Sequence, residues 1–245
     1  MREELARAFD FLARGDMGAT RTEPSAVGTA FFTDELPLRL DANYLRVERD
    51  ASPEEVAAEA RRHERRMILV PESELGERLA PYFDERAWRV RREVVMAQHR
   101  EPDREHDLSI VREVGEEDLR PARRQLNAGM PWGAPEVIDQ IFAGKQLIAQ
   151  RMQAHFFAVV VDGEVVTYAD LYQDGSDGQI EDVGTLHEHR ERGYASAVVL
   201  AAVAAARKAG ADFVFLLADR EDWPKELYGR LGFDELGYFV KLVNP

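Results

Sequence analysis

The segment Val183-Gly-Thr-Leu-His-Glu-His-Arg-Glu-Arg-Gly-Tyr-Ala-Ser196 joins a strand-like stretch to a long alanine-rich helix through a charged loop. Such a junction suits an anion. The first N–H groups of a helix have no internal partner and point into the incoming loop, while the helix dipole favours negative charge there. Gly193 and Ala195 would let a diphosphate come close to the backbone, and Arg190 and Arg192 add positive charge. A plainer reading makes this a solvated loop in which Gly193 only eases packing. Just upstream, Glu181 and Asp182 place two carboxylates on one strand. Side chains alternate along a strand, so only one of them faces a given cleft, and a bulge would switch which one. Asp170 and Tyr172 on the preceding strand, and Trp132 after Met130-Pro131, are candidates for substrate contact by position alone. His187 and His189 bracket Glu188, but His-x-His without further ligands is a weak metal signal, and we expect no metal.

The loop resembles the coenzyme A loop of the GNAT N-acetyltransferase superfamily, Arg/Gln-x-x-Gly-x-Gly/Ala, matched by Arg190, Gly193 and Ala195. It also sits where that family has it, between the third strand of a meander and a long helix. Val183-x-Thr185 resembles the family's entry to the loop, and His187 stands where many relatives have proline, a change expected to alter loop stiffness more than binding. Leu227-Tyr-Gly-Arg-Leu-Gly-Phe233 is similar to the family's Leu-Tyr-x-x-Leu-Gly-Phe segment.

The resemblance implies acetyl-coenzyme A as cosubstrate, held by Val183, Thr185, Arg190, Glu191, Arg192, Gly193, Tyr194, Ala195 and Ser196, with Tyr228 protonating the leaving thiolate. It implies direct attack by a primary amine of a small-molecule or peptide acceptor, which needs a base to remove the ammonium proton; Glu181 is the expected base. A phenol with a pKa of about 10 donates to a thiolate whose acid lies near about 8.5 only with help from geometry, and Tyr228 merely packing around the sulfur is the alternative. Glu221 departs from the family, many members of which carry asparagine there, which puts cofactor contacts at that position in doubt. Beside it, Asp222 is expected to cap the helix that Pro224 begins, with Trp223 packing its start. That departure keeps open a non-catalytic acyl-coenzyme A sensor or interaction module. A different acyl donor or an alcohol acceptor is a further alternative.

The pattern predicts a helix at 2–12 and an irregular loop from Gly15 to Gly28. A strand at 44–47, a helix opened by Ser52 and Pro53, a strand at 67–70, a helix at 72–83 and a strand at 88–98 follow. The polar run Glu101-Pro-Asp-Arg-Glu-His-Asp107 reads as a linker, dividing an N-terminal domain, 1–102, from a C-terminal one, 107–245. Beyond it come a strand at 108–114, helices at 117–127 and 135–151, a hairpin turning at Asp162-Gly163, a third strand at 178–186, and the long helix at 193–209. A strand at 213–217, a helix at 224–231 and a strand at 239–243 complete the chain. The expected class is α/β with a mixed sheet, with a GNAT-like acyltransferase fold in the C-terminal half. The smaller N-terminal α/β unit lacks any cofactor loop and resembles the degenerate N-terminal halves of two-domain bacterial GNAT proteins through Asp41-x-Asn-Tyr-Leu45 and the stretch from Trp88 to Met96. It is expected either to wall the acceptor cleft or to serve stability alone.

The chain has 245 residues, room for two modest domains. It has no cysteine, which excludes disulfides, thiolate nucleophiles and Cys-based zinc sites. With 46 acidic against 32 basic residues and a net charge of −14, broad binding to nucleic acid or anionic membrane is not expected, and a cationic substrate would be steered favourably. The charged residues Arg2, Glu3, Glu4, Arg7, Asp10 and Arg14 interrupt the apolar positions at the amino terminus, so a cytoplasmic protein is expected. Either a monomer with an internal pseudo-dimer or a homodimer fits.

Overall fold

Caps and turns written in the sequence set most element boundaries. The chain is described by a computed structural model covering residues 2–15 and 21–244. Helix α1 spans Arg2–Gly15, followed among the described residues by strands β1 (Arg21–Ser25) and β2 (Gly28–Phe32), then β3 (Leu45–Val47). Helix α2 (Pro53–Arg62) starts with a reciprocal cap: Glu55 N–H donates to Ser52 Oγ at 3.3 Å, and Ser52 N–H donates to a Glu55 carboxylate oxygen at 2.8 Å. Strand β4 (Met67–Val70) leads to α3 (Ser73–Asp84), whose first turn is capped by the Glu72 carboxylate, and then to β5 (Arg89–Gln98).

The expected loop from Gly15 to Gly28 is corrected over 21–25, where β1 pairs antiparallel with β2 in register Arg21↔Phe32 to Ser25↔Gly28; residues 16–20 lie outside the described set. β1 reads Arg-Thr-Glu-Pro-Ser and is mostly exposed. An edge strand with a proline and no apolar alternation carries no local strand signal, and only its partner makes it one.

The rest of the chain runs β6 (Val111–Val114), α4 (Glu116–Ala128), α5 (Pro135–Ala149), β7 (Gln153–Val161), β8 (Glu164–Asp174), β9 (Asp177–Thr185), α6 (Tyr194–Lys208), β10 (Phe213–Asp219), α7 (Pro224–Arg230) and β11 (Phe233–Val243). The β7–β8 hairpin turns at Asp162 and Gly163, both with positive φ.

The chain divides into two compact units. One comprises 1–95, 218–222 and 236–245. Its strands run in the order β1-β2-β3-β4-β11, with β3 parallel to β4 and the outer half of β11 antiparallel to β4 from Val240↔Val70 to Val243↔Met67. Leu45, Val56, Ile68, Leu79, Phe83, Val240 and Leu242 meet in its core. The other unit comprises 96–217 and 223–235, with strand order β10-β9-β8-β7-β6; β9 and β10 are parallel and the remaining pairs antiparallel. The stretch read as a linker, 101–107, lies within this second unit, where Asp103 N–H donates to Arg230 O at 2.8 Å. Leu236–Pro245, read with the C-terminal half, clusters with the first unit.

In the second unit α6 packs on β7, β8 and β9 through Ala197, Val198, Ala202 and Ala206, while α4 packs on β8 and β9. Small side chains let α6 lie close to the sheet. This unit positions the candidate site.

Candidate functional site

The geometry begins with a defect in β9. Its ladder with β8 pairs Tyr168 with Gly184 and then Asp170 with Glu181, so Asp182 and Val183 together oppose Ala169. This is a bulge, and Asp182 takes a φ of 52° within it. On the other side, β9 pairs in parallel with β10 only from Asp177↔Phe213 to Ile180↔Leu216. The register therefore ends where the bulge begins, and from 181 to 185 β9 has no recorded partner strand on its β10 side among the described residues. An open strand edge presents amide and carbonyl groups ready to pair with an extended ligand.

Beyond Thr185 the chain makes a short 3-10 turn at His187–His189, and Gly193, at φ 78°, ends the loop as the N-cap of α6. A Cβ at Gly193 would meet nothing within 4 Å, so this glycine is required by its left-handed backbone rather than by crowding. No side chain caps α6, and the first amide bonded to the loop belongs to Ala197, which donates to Gly193 O at 3.1 Å. The amides of Tyr194, Ala195 and Ser196 have no recorded acceptor among the described residues. Arg190 donates to Thr185 O at 3.4 Å and Arg192 to Glu188 O at 3.2 Å, both guanidinium groups remaining exposed. These two arginines brace the loop as well as charging it. Thr185 Oγ1 accepts from Thr167 Oγ1 at 3.2 Å, tying the entry of the loop to β8.

The α4 face of the meander holds a buried ionic cluster. Arg123 on α4 and Asp170 on β8 are fully enclosed and paired. Lys145 on α5 donates to Asp170 Oδ2 at 2.8 Å, and the Tyr172 hydroxyl donates to the same oxygen at 3.1 Å. Asp182 Oδ2 lies 3.0 Å from both Arg123 Nε and Lys145 Nζ. Burial works against the charge on Lys145 and Arg123, yet the Asp170 and Asp182 carboxylates prevail and hold both above their usual range. Burial pushes the Asp170 carboxyl up to about 6 against the pull of Lys145 and Arg123, so it is ionised at neutral pH.

Asp170 and Tyr172, read as possible substrate contacts, are thus buried members of this cluster. Glu181 opposes Asp170 directly and so projects to the same face, half-buried. Because of the bulge, Asp182 reaches that face too. Arg123 and Lys145 were missed in the sequence, although a signal was present: Arg123 follows Leu119 and Ala122 at helical spacing, and Lys145 follows Ile138 and Phe142. Each puts a cation on an apolar helix face, where it needs a buried counter-charge. Trp132 and Met130, in contrast, are exposed on the connection from α4 to α5, with Trp132 Nε1 donating to Asn127 Oδ1 at 3.4 Å.

Tyr228 lies on α7 and is nearly enclosed, its ring edge-on to Phe233 at 6.2 Å; burial pushes its phenol up to about 12. At the start of α7 Trp223 makes no side-chain cap and is 60% exposed, while Asp222 N–H closes a turn onto Asp219 O at 3.3 Å. Glu221 belongs to the first unit, paired with Arg92 at 2.9 Å. Among the described residues no group of three or more His, Asp or Glu side chains is arranged to hold a metal ion.

Residues 117–233, which contain the bulged strand, the loop and α7, match the family model described as the Acetyltransferase (GNAT) family. This segment belongs to the GNAT acetyltransferase family. The GNAT fold extends through solved structures of low identity. A functionally unknown conserved protein from Staphylococcus epidermidis is 13% identical with a TM-score of 0.68, covering 92% of this chain and 94% of its own. A GCN5-related N-acetyltransferase from Kribbella flavida is 18% identical with a TM-score of 0.61, covering 98% and 95%. Another from Sphaerobacter thermophilus is 18% identical with a TM-score of 0.53, covering 73% and 59%. No curated protein matches the chain. The mixed α/β class is thus shared over nearly the whole length, and no helix among the described residues is long and apolar enough to cross a membrane.

Proposed function

We propose that this protein is an N-acetyltransferase that moves an acetyl group from acetyl-coenzyme A to a primary amine by direct attack within a ternary complex. The observation that carries the reading is the opening of β9 from β10 after Ile180 and Leu216, leading straight into the uncapped N-terminus of α6. The residues fit the donor: the amides of Tyr194, Ala195 and Ser196, with Arg190 and Arg192, form a cradle for a diphosphate, and Gly193 leaves open space beside it. The open β9 edge at Val183 and Thr185 suits the extended pantetheine arm.

Acetyl-coenzyme A, when bound, supplies an activated thioester carbonyl. Glu181 takes the ammonium proton, directly or through a water, so that a neutral nitrogen faces that carbonyl. In this reading a backbone amide of the bulge donates to the carbonyl oxygen as negative charge builds on it. Tyr228 holds its proton for the departing sulfur. The acidic face of β9 and the net charge of −14 favour a cationic acceptor, either a small molecule or a peptide. A non-catalytic acyl-coenzyme A sensor is the second reading, favoured by Glu221 at the position where asparagine is common.

Calorimetric titration with acetyl-coenzyme A tests the first claim. Micromolar binding that disappears in an Arg190→Glu, Gly193→Asp double variant is expected, followed by amine-dependent thiol release. No binding by the folded wild-type chain would overturn the reading, and binding without turnover on any amine would favour the sensor.

A further inference from the structure

Asp182 combines two features: a φ of 52° on a residue that carries a side chain, and a carboxylate held by two buried cations. A left-handed residue other than glycine is disfavoured unless its surroundings enforce it. Here the surroundings come from three elements. Asp170 on β8 has no exposed surface and pairs with both Arg123 on α4 and Lys145 on α5, which fixes where the two cations stand. Those cations then lie 3.0 Å from Asp182 Oδ2. Asp182 Oδ2 makes no well-aligned hydrogen bond, so its hold is electrostatic.

Packing alone would not call for such an arrangement, because replacing a buried ionic group with apolar side chains of similar volume is often neutral or stabilising. What charged partners add is a defined position, and the residue they define is the extra one in the β9 bulge. That bulge begins where β9 leaves β10. Glu181 and Val183 flank Asp182 on either side, so a register slip there would swap the faces of both.

We propose that Arg123, Lys145 and Asp170 form a positioning device that tethers Asp182 and thereby holds the β9 bulge in the register that opens the 181–185 edge to the acyl donor. The inference rests on the donor-site reading given above. Asp182 is a positioning residue in this scheme: it touches neither donor nor acceptor, and acts through the backbone of Glu181, Val183 and Gly184.

Two variants separate this role from others. Asp182→Ala removes the tether and disfavours positive φ, whereas Asp182→Gly removes the tether but accepts positive φ freely. Acetyl-coenzyme A affinity is expected to fall in both variants, because both lose the tether, and about five- to thirtyfold further in the alanine variant, the range that left-handed strain implies. Hydrogen exchange of the ligand-free proteins should show altered protection at Val183, Gly184 and Thr185 in both variants. Wild-type affinity and exchange in Asp182→Gly would mean that positive φ alone sets the bulge, and would overturn the proposal. So would losses in both variants accompanied by wild-type exchange and a raised KM for the amine, which would mean direct contact with the acceptor. If wild-type protein fails to bind acetyl-coenzyme A, the donor-site reading falls, while the exchange pattern still decides whether the tether sets the bulge.

Discussion

Burial raises the Tyr228 phenol to about 12, so at neutral pH the residue is a proton holder in its neutral form. Replacing it with phenylalanine should lower kcat by about 10²–10³-fold, the usual contribution of a positioned general acid, with donor affinity unchanged by calorimetry. Because its ionisation lies near 12, any loss of rate between pH 8 and 10 belongs to another group and should persist in Tyr228→Phe. Lys145 makes a different prediction. Methionine there leaves Asp170 and Asp182 sharing Arg123 alone, and breaking a buried pair in this way should cost about 3–5 kcal/mol in urea denaturation at neutral pH. Asp170 already has a folded pKa of about 6, above the unfolded value, so its contribution to stability is fully present below the unfolded pKa and is lost as pH rises through the folded one. Removing Lys145 raises that folded pKa further and prolongs the loss. The gap between Lys145→Met and wild type should therefore be wider at pH 8 than at pH 5, and a gap independent of pH would show that Asp170 is not the group responding.

At the scale of elements, local chemistry that completes its own hydrogen bonds behaved as the sequence suggested. Ser52 and Glu55 cap α2 reciprocally, and Ser52→Ala should lower stability by about 1 kcal/mol in thermal or urea unfolding, with no effect on donor binding. Asn43 is similarly self-explanatory: its side chain donates to Leu36 O at 2.8 Å and Arg39 O at 2.9 Å and accepts from Thr33 N–H at 3.0 Å, closing the loop before β3. At the start of α7, Pro224 takes the first helical position, where its missing N–H costs nothing, after a turn that Asp222 N–H closes onto Asp219 O.

For the molecule as a whole, the units do not follow the sequence halves. Leu236–Pro245 clusters with the N-terminal unit, where Val240 and Leu242 are enclosed and pair with Val70 and Ile68. A fragment beginning at Asp107 would carry those residues without β4. It should be less soluble than the full chain and melt at lower temperature, which gel filtration and thermal scanning would measure; a monomeric fragment as stable as the full chain would count against this. Sequence alone determined the features that depend on neighbours along the chain: helices α2, α3 and α6, the Asp162-Gly163 turn, and the loop from Val183 to Ser196 that marks the GNAT segment. Periodicity and turn chemistry act within a few residues, so they are legible in one dimension. Only the tertiary structure decided that Arg21–Ser25 is a strand, that β9 bulges at Asp182, and that Arg123 and Lys145 meet Asp170. Those outcomes depend on partners as far apart as Arg21 and Phe32 or Arg123 and Asp170, 11 and 47 positions along the chain, and the need to pair a buried charge or an unpaired edge is satisfied by whatever the fold brings near.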